Sequence, residues 1–139
     1  MDAIVLAGGE SKRMASPKAL LPWGDSFMLS AIVETLKPLF HSVFVVGKDN
    51  VKLPPLNATV LRDNRDLRGP LVGLAAGLEA SIAEWCFVTG CDMPFVDGDA
   101  IVRMAEKLPS IEILALDKGG KLQPLHAFYS RAWLPQAEA

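Results

Sequence analysis

The segment Ile4 to Lys18 reads Ile-Val-Leu-Ala-Gly-Gly-Glu-Ser-Lys-Arg-Met-Ala-Ser-Pro-Lys and contains the most informative pattern in the chain. Its start is short, apolar and bounded by glycine, which predicts a buried strand over Ala3–Leu6. The two glycines that follow allow backbone N–H groups to approach an anion. The cations behind them, Lys12, Arg13 and Lys18, would neutralise a polyphosphate.

This segment fits neither of two common phosphate-binding motifs. The Walker pattern is absent, and the Rossmann pattern G-x-G-x-x-G is excluded because Gly8 and Gly9 are adjacent. A glycine-rich turn followed by a solvated basic segment is the competing interpretation.

Strand and helix patterns alternate along the rest of the chain, which predicts an α/β fold with a largely parallel sheet and helices on both faces. Further strands are predicted over Val43–Val46, Thr59–Leu61, Trp85–Thr89, Ile111–Leu116 and, antiparallel, Leu125–Tyr129. Helices are predicted after a Ser26 cap, over Leu71–Ile82, after an Asp97 cap and from Trp133.

Three segments that follow predicted strands carry candidate ligand-binding residues: Gly8–Gly9, Arg62–Gly69 and Cys91–Pro94. Because ligands of such sheets bind beyond the carboxyl ends of the strands, we expect the three segments to meet at one edge. Asp92 opposite a phosphate-binding loop is a natural Mg²⁺ ligand, and its alternative role is to cap a turn. Asp63 is a weaker candidate, since it lies in a highly charged segment.

The predicted helix Leu71–Ile82 carries Gly73 and Gly77 four residues apart on one face. Glycine costs a helix about 1 kcal/mol relative to alanine, so a close approach should offset it. The pattern leaves open whether the glycines approach a ligand or another part of the protein.

Composition narrows the class of protein. A chain of 139 residues, half of them hydrophobic, predicts a single domain over 1–139 with one core. The net charge of −2 disfavours nucleic acid as a partner. No apolar run approaches the roughly 20 residues that span a bilayer, so we expect a cytoplasmic protein without a membrane partner. The two cysteines, Cys86 and Cys91, predict neither a disulfide framework nor a zinc site, and we expect Cys86 in the core.

Several segments, in order, resemble one known family: Leu6-Ala7-Gly8-Gly9-x-Ser11-x-Arg13-Met14 with Lys18, then Gly69-Pro70-Leu71-x-Gly73-Leu74-x-x-Gly77-Leu78, Cys91-Asp92-Met93-Pro94-Phe95, and Gln123-Pro124-Leu125-x-Ala127-x-Tyr129. The chain resembles the sugar-nucleotide-type nucleotidyltransferases and, within them, the molybdenum cofactor guanylyltransferases. The resemblance implies a three-layer Rossmann-like fold. The sequence differs from the family pattern at Ala15, where glycine is usual. It also ends soon after Tyr129, where further C-terminal elements are usual.

The resemblance also implies a site. Catalytic roles fall on Arg13, Lys18 and Asp92, and Asp92 is the expected Mg²⁺ ligand. The nucleotide-binding residues it implies are Leu6, Ala7, Gly8, Gly9, Ser11, Lys18, Asp63 and Asp92.

The implied reaction transfers GMP from GTP to the phosphate of molybdopterin and releases pyrophosphate. Other proteins of molybdenum cofactor biosynthesis or molybdoenzyme maturation are the implied further partners. Two alternatives stay open. Pro17 before Lys18 resembles the cytidylyl relatives, which favours CTP with molybdopterin or a sugar or polyol phosphate. Ala15 and the early end after Tyr129 favour a non-catalytic nucleotide-binding member.

Overall fold

Six strands form one mixed sheet in the computed structural model, which describes residues 1–7, 22–23, 26–47, 56–62, 70–90, 98–106, 113–118 and 121–133. The strands of this sheet are β1 (Asp2–Leu6), β4 (Ser42–Gly47), β5 (Thr59–Arg62), β6 (Trp85–Gly90), β7 (Ile113–Lys118) and β8 (Lys121–Ser130). A small antiparallel pair is formed by β2 (Pro22–Trp23) and β3 (Ser26–Phe27). The helices are α1 (Met28–Leu36), α2 (Pro70–Ala80) and α3 (Gly98–Ala105).

The strands lie in the order β5-β4-β1-β6-β8-β7. The first four of these are parallel to one another, and β8 runs antiparallel to both β6 and β7. The predicted α/β class with a largely parallel sheet is therefore confirmed. The antiparallel orientation predicted for the last strand is also confirmed. This strand is longer than expected, because residues 127–129 pair with both β6 and β7 and residues 121–123 continue the pairing with β7.

Helices cover both faces of the sheet. On one face α1 and α3 pack against alternate residues of β1, β4 and β6, around three aromatic rings: Phe40, Phe87 and Phe128. On the other face α2 contributes Leu74 and Leu78, which pack against Ile4 and Val88. Every residue of β6 is buried, as expected for a strand between two others and covered on both sides.

Some predicted boundaries are wrong. Ser26 does not cap α1, because it lies in β3, where it pairs with Trp23 of β2. Phe27 occupies the N-cap position without a side-chain hydrogen bond. The helix predicted over Leu71–Ile82 is α2, which begins one residue earlier at Pro70 and ends at Ala80. Just beyond the end of α2, the backbone N–H of Ala83 donates a hydrogen bond to the hydroxyl of Ser81.

Other predictions have mixed outcomes. Residues Arg131–Trp133 form a single 3-10 turn, and the residues over which the helix predicted from Trp133 would continue lie outside the described residues. The cap predicted at Asp97 lies outside the described residues, although the helix behind it is present as α3. Cys86 is fully buried in the core, as predicted, and His41 is exposed. In the described part of the chain, no helix is long and apolar enough to cross a membrane.

Candidate nucleotide-binding site

The carboxyl ends of the parallel strands lie at one edge of the sheet. Leu6, the last residue of β1, is the register partner of Val46 in β4 and of Gly90 in β6. Arg62, the last residue of β5, is the partner of Gly47. The strands that precede all three candidate segments therefore end at one edge of the sheet, and the meeting of the segments themselves stays a prediction.

The order of strands reverses between β1 and β6. From β1 the chain passes to β4 by way of α1 on one face, whereas it passes from β5 to β6 by way of α2 on the opposite face. Both crossovers leave the carboxyl edge of the sheet, the first from β1 and the second from β5, and we expect the ligand crevice at this edge. Open α/β sheets bind their ligands at such a topological switch point.

Ala7, the residue before the glycine pair, is held in the sheet. Ala7 is fully buried, and its N–H donates a hydrogen bond of 2.8 Å to the carbonyl of Val46. The hydrogen-bonding ladder between β1 and β4 thus continues one residue beyond Leu6. Of the implied nucleotide-binding residues, Leu6 and Ala7 are therefore placed at the switch point.

The remaining candidates lie outside the described residues: Gly8, Gly9, Ser11, Arg13, Lys18, Asp63 and Asp92. Their positions in the sequence still tie them to the strand ends. Gly8 follows Leu6 by two residues, Asp92 follows Gly90 by two residues, and Asp63 follows Arg62 directly. The described residues contain no group of three or more His, Cys, Asp or Glu side chains that could hold a metal ion.

The two helix glycines face the sheet. A Cβ atom at Gly77 would lie 2.7 Å from Cδ1 of Ile4, and one at Gly73 would lie 3.0 Å from Cδ2 of Leu6. The close approach inferred from the sequence is therefore helix-on-sheet packing. It brings the first turns of α2 beside the end of β1, at the same edge as the switch point.

The opposite edge of the sheet holds a buried polar cluster that sequence patterns did not reveal. The Asp2 carboxyl accepts a 2.5 Å hydrogen bond from the Ser81 hydroxyl and a 3.2 Å bond from the Ser42 N–H. The Cys86 thiol donates to the Ser81 hydroxyl at 3.3 Å. Burial raises the pKa of this thiol, so it stays protonated and unreactive. Asp2 and Ser81 are 79 positions apart, which is why no local pattern predicts their contact.

The chain is similar in sequence and in fold to known nucleotidyltransferases. The "Probable molybdenum cofactor guanylyltransferase" of Carboxydothermus hydrogenoformans is 31% identical over 138 residues, which cover 99% of this chain and 70% of that protein. The crystal structure of molybdopterin-guanine dinucleotide biosynthesis protein A from Archaeoglobus fulgidus has a TM-score of 0.79 at 23% identity, covering 99% of this chain and 71% of that one. The manganese complex of Rv0371C from Mycobacterium tuberculosis has a TM-score of 0.73 at 20% identity, covering 98% and 73%.

A family model matches the same part of the chain. The model of the MobA-like NTP transferase domain matches residues 3–139, which is nearly the entire chain. The Rossmann-like fold of the two solved structures agrees with the sheet order and the helices on both faces. The chain therefore belongs to the MobA-like NTP transferase domain family, a family of nucleotidyltransferases.

Proposed function

We propose that this protein transfers GMP from GTP to the phosphate of molybdopterin, forming the guanine dinucleotide of the cofactor and releasing pyrophosphate. The observation that carries the proposal is the pairing of Leu6 with Gly90 at the switch point. The segment with the glycines and cations and the segment with Asp92 leave the sheet from these two neighbouring strand ends. The choice of GTP and molybdopterin is supported by the name of the relative from Carboxydothermus hydrogenoformans.

The chemistry requires positioning and charge neutralisation more than proton transfer. An oxygen of the acceptor phosphate attacks the α-phosphorus of GTP in line, the bond from that phosphorus to the bridging oxygen breaks, and pyrophosphate leaves. Since the acceptor oxygen is already ionised, no strong general base is needed. Lys18 and Arg13 neutralise the charge of the triphosphate in this proposal, and the backbone N–H groups of Gly8 and Gly9 contact its oxygens.

The other candidates take binding roles in the proposal. Leu6 and Ala7 present the backbone at the base of the crevice, Ser11 contributes a hydroxyl, and Asp63 contacts the nucleotide from the segment after β5. Asp92 would hold Mg²⁺, which supplies charge neutralisation at the phosphates when it is bound. A divalent ion is in keeping with the manganese complex of the M. tuberculosis relative.

CTP is the second candidate donor, because Pro17 stands before Lys18 as in cytidylyl relatives. A cytidylyltransferase would use molybdopterin or a sugar or polyol phosphate as acceptor. The two proposals share the fold and the crevice and differ in the base that is bound, so nucleotide preference separates them.

The test is titration calorimetry of the protein with GTP, CTP and ATP, each with Mg²⁺, repeated on Lys18→Ala and Asp92→Asn. We expect tightest binding of GTP, weaker binding in Lys18→Ala, and loss of the Mg²⁺ dependence in Asp92→Asn. Pyrophosphate release that requires molybdopterin would then support the complete reaction. A preference for CTP would move the assignment to the cytidylyltransferases, and failure to bind any nucleotide would contradict the catalytic proposal for this chain.

A further inference from the structure

Gly73 touches the strand that leads into the proposed nucleotide-binding loop. A Cβ atom at this position would lie 3.0 Å from Cδ2 of Leu6 and 3.7 Å from Cγ1 of Val46. Leu6 is the last residue of β1, and the next residue, Ala7, donates the final ladder hydrogen bond to Val46 before the Gly8–Gly9 pair. A side chain at position 73 would therefore press on the end of the Leu6 side chain, which belongs to the last strand residue before Ala7.

The contact is one of three between α2 and β1, spaced four residues apart along the helix and two residues apart along the strand. Going down the helix, Gly73 meets Leu6, Gly77 meets Ile4, and the hydroxyl of Ser81 bonds to Asp2. Four residues of helix advance about 6 Å and two residues of strand about 6.6 Å, so the two spacings stay nearly in step over this length. The first turn of α2 is thereby held in a definite position relative to the end of β1.

We propose that Gly73 is a positioning residue for nucleotide binding: its missing side chain sets the separation between the start of α2 and the last residue before the Gly8–Gly9 loop. The inference rests on the proposed function, because it assigns the nucleotide to the crevice above β1. Gly73 itself does not contact the nucleotide in this proposal. It acts through Leu6 and Ala7, which carry the loop.

Gly77 provides a matched control one turn further along the same helix. Its added Cβ atom would lie 2.7 Å from both Cδ1 and Cγ2 of Ile4. Ile4 is fully buried in the middle of β1, with register partners Phe44 and Val88 on both sides. Gly77→Ala therefore stresses the core, whereas Gly73→Ala displaces the end of a partly buried leucine at the crevice.

The experiment compares Gly73→Ala with Gly77→Ala in the full chain. For Gly73→Ala we expect KM for GTP with Mg²⁺ to rise about tenfold with kcat changed by less than about twofold, because binding is disturbed and the reacting groups are not. Urea denaturation should give nearly the wild-type free energy of unfolding. For Gly77→Ala we expect a lower free energy of unfolding and a KM within about twofold of wild type, measured where the protein is folded.

A second readout does not depend on any nucleotide. Hydrogen exchange of the Ala7 amide, followed by NMR in the free protein, should be about tenfold faster in Gly73→Ala, since the last ladder bond is weakened locally. Leu6→Val lacks Cδ atoms, so adding it to Gly73→Ala should restore both the exchange rate and KM towards the values of Leu6→Val alone.

The outcomes separate the two proposals. If Gly73→Ala leaves both Ala7 exchange and GTP affinity unchanged, or if its affinity loss only follows its unfolded fraction, the positioning role is overturned. If wild-type protein does not bind GTP but Ala7 exchange still responds to Gly73→Ala and to the added Leu6→Val, the proposed function fails while the structural coupling stands.

Discussion

The two edges of the sheet are built in opposite ways. At the edge where β1 begins, the polar side chains of Asp2, Ser81 and Cys86 are buried and hydrogen-bonded to one another. At the edge where β1 ends, the parallel strands lead into segments rich in glycine and charge that are proposed to bind a nucleotide. One edge satisfies its polar groups within the protein, and the other is proposed to offer donors and charges to a ligand.

The closed edge also stabilises the end of α2. The guanidinium of Arg131 donates a 3.1 Å hydrogen bond to the carbonyl of Leu78, and the backbone N–H of Arg131 donates to the backbone carbonyl of Glu84 at 2.8 Å. A cation at the carboxyl end of a helix interacts favourably with the helix dipole and satisfies a carbonyl that has no partner within the helix. Variants at this edge should therefore change stability, and variants at the other edge should change binding and turnover.

The largest effect is expected for Lys18→Ala at the open edge. Removing a cation that is proposed to neutralise the triphosphate should lower turnover by about 100-fold or more, while we expect little change in stability, because a solvated lysine contributes little to folding. Pyrophosphate release with GTP and molybdopterin measures the first effect, and a thermal melt measures the second. Lys37→Ala removes the same charge from an exposed residue after α1 and should leave turnover at the wild-type level. Equal losses in both variants would mean that the effect is one of net charge.

The next largest effect is expected for Gly77→Ala in the interior between the edges. Its Cβ atom would overlap Ile4, and overpacking of this kind costs roughly 1–3 kcal/mol, partly offset by the better helix propensity of alanine. The free energy of unfolding from urea denaturation measures it. Gly98→Ala is the control, because its Cβ atom would meet Leu39 at an ordinary 3.5 Å. A wild-type stability for Gly77→Ala would contradict the packing assigned to α2.

Ser81→Ala tests the closed edge directly. The variant removes the donor to Asp2 and leaves that buried carboxyl with a lost hydrogen bond, at a cost of about 1–3 kcal/mol. GTP affinity should be unchanged, which distinguishes this edge from the open one. Thr35→Ala is the matched control, since its hydroxyl bonds only to Ala31 one turn earlier on an exposed helix surface. A clear loss of GTP affinity in Ser81→Ala would show that the two edges are not separable.

The smallest effect is expected from the pH dependence of Cys86. Burial raises the pKa of its thiol in the folded protein, so the unfolded chain ionises first as the pH rises. The stability that this group contributes is complete below the pKa of the unfolded thiol and is lost as the pH rises through the folded value. Urea denaturation at neutral and alkaline pH should therefore show a steeper loss in wild type than in Cys86→Ala. The comparison cancels Tyr129, whose raised pKa is common to both proteins.

Particular residues illustrate how far the sequence could predict the fold. The run before Gly8 predicted β1 within one residue, because a short apolar stretch bounded by glycine has few alternatives. The helix predicted from Leu71 begins one residue earlier at Pro70 for a local reason, since the missing N–H of proline costs little in the first turn. The cap predicted at Ser26 is wrong because Ser26 pairs with Trp23 in a short antiparallel strand pair. Local propensity does not reveal such pairing. The assignments of Arg13, Lys18, Asp63 and Asp92 and the cytoplasmic location stay predictions.

The sequence by itself determined the alternation of strands and helices, the class of fold and the family, because hydrophobic periodicity and ordered motifs are local properties of the chain. It also indicated that Gly73 and Gly77 must allow a close approach. Only the tertiary structure decided that they approach Leu6 and Ile4, and that Asp2 meets Ser81 at the far edge. The physical reason is that strand order and helix placement bring together residues many positions apart, and no local pattern encodes those distances.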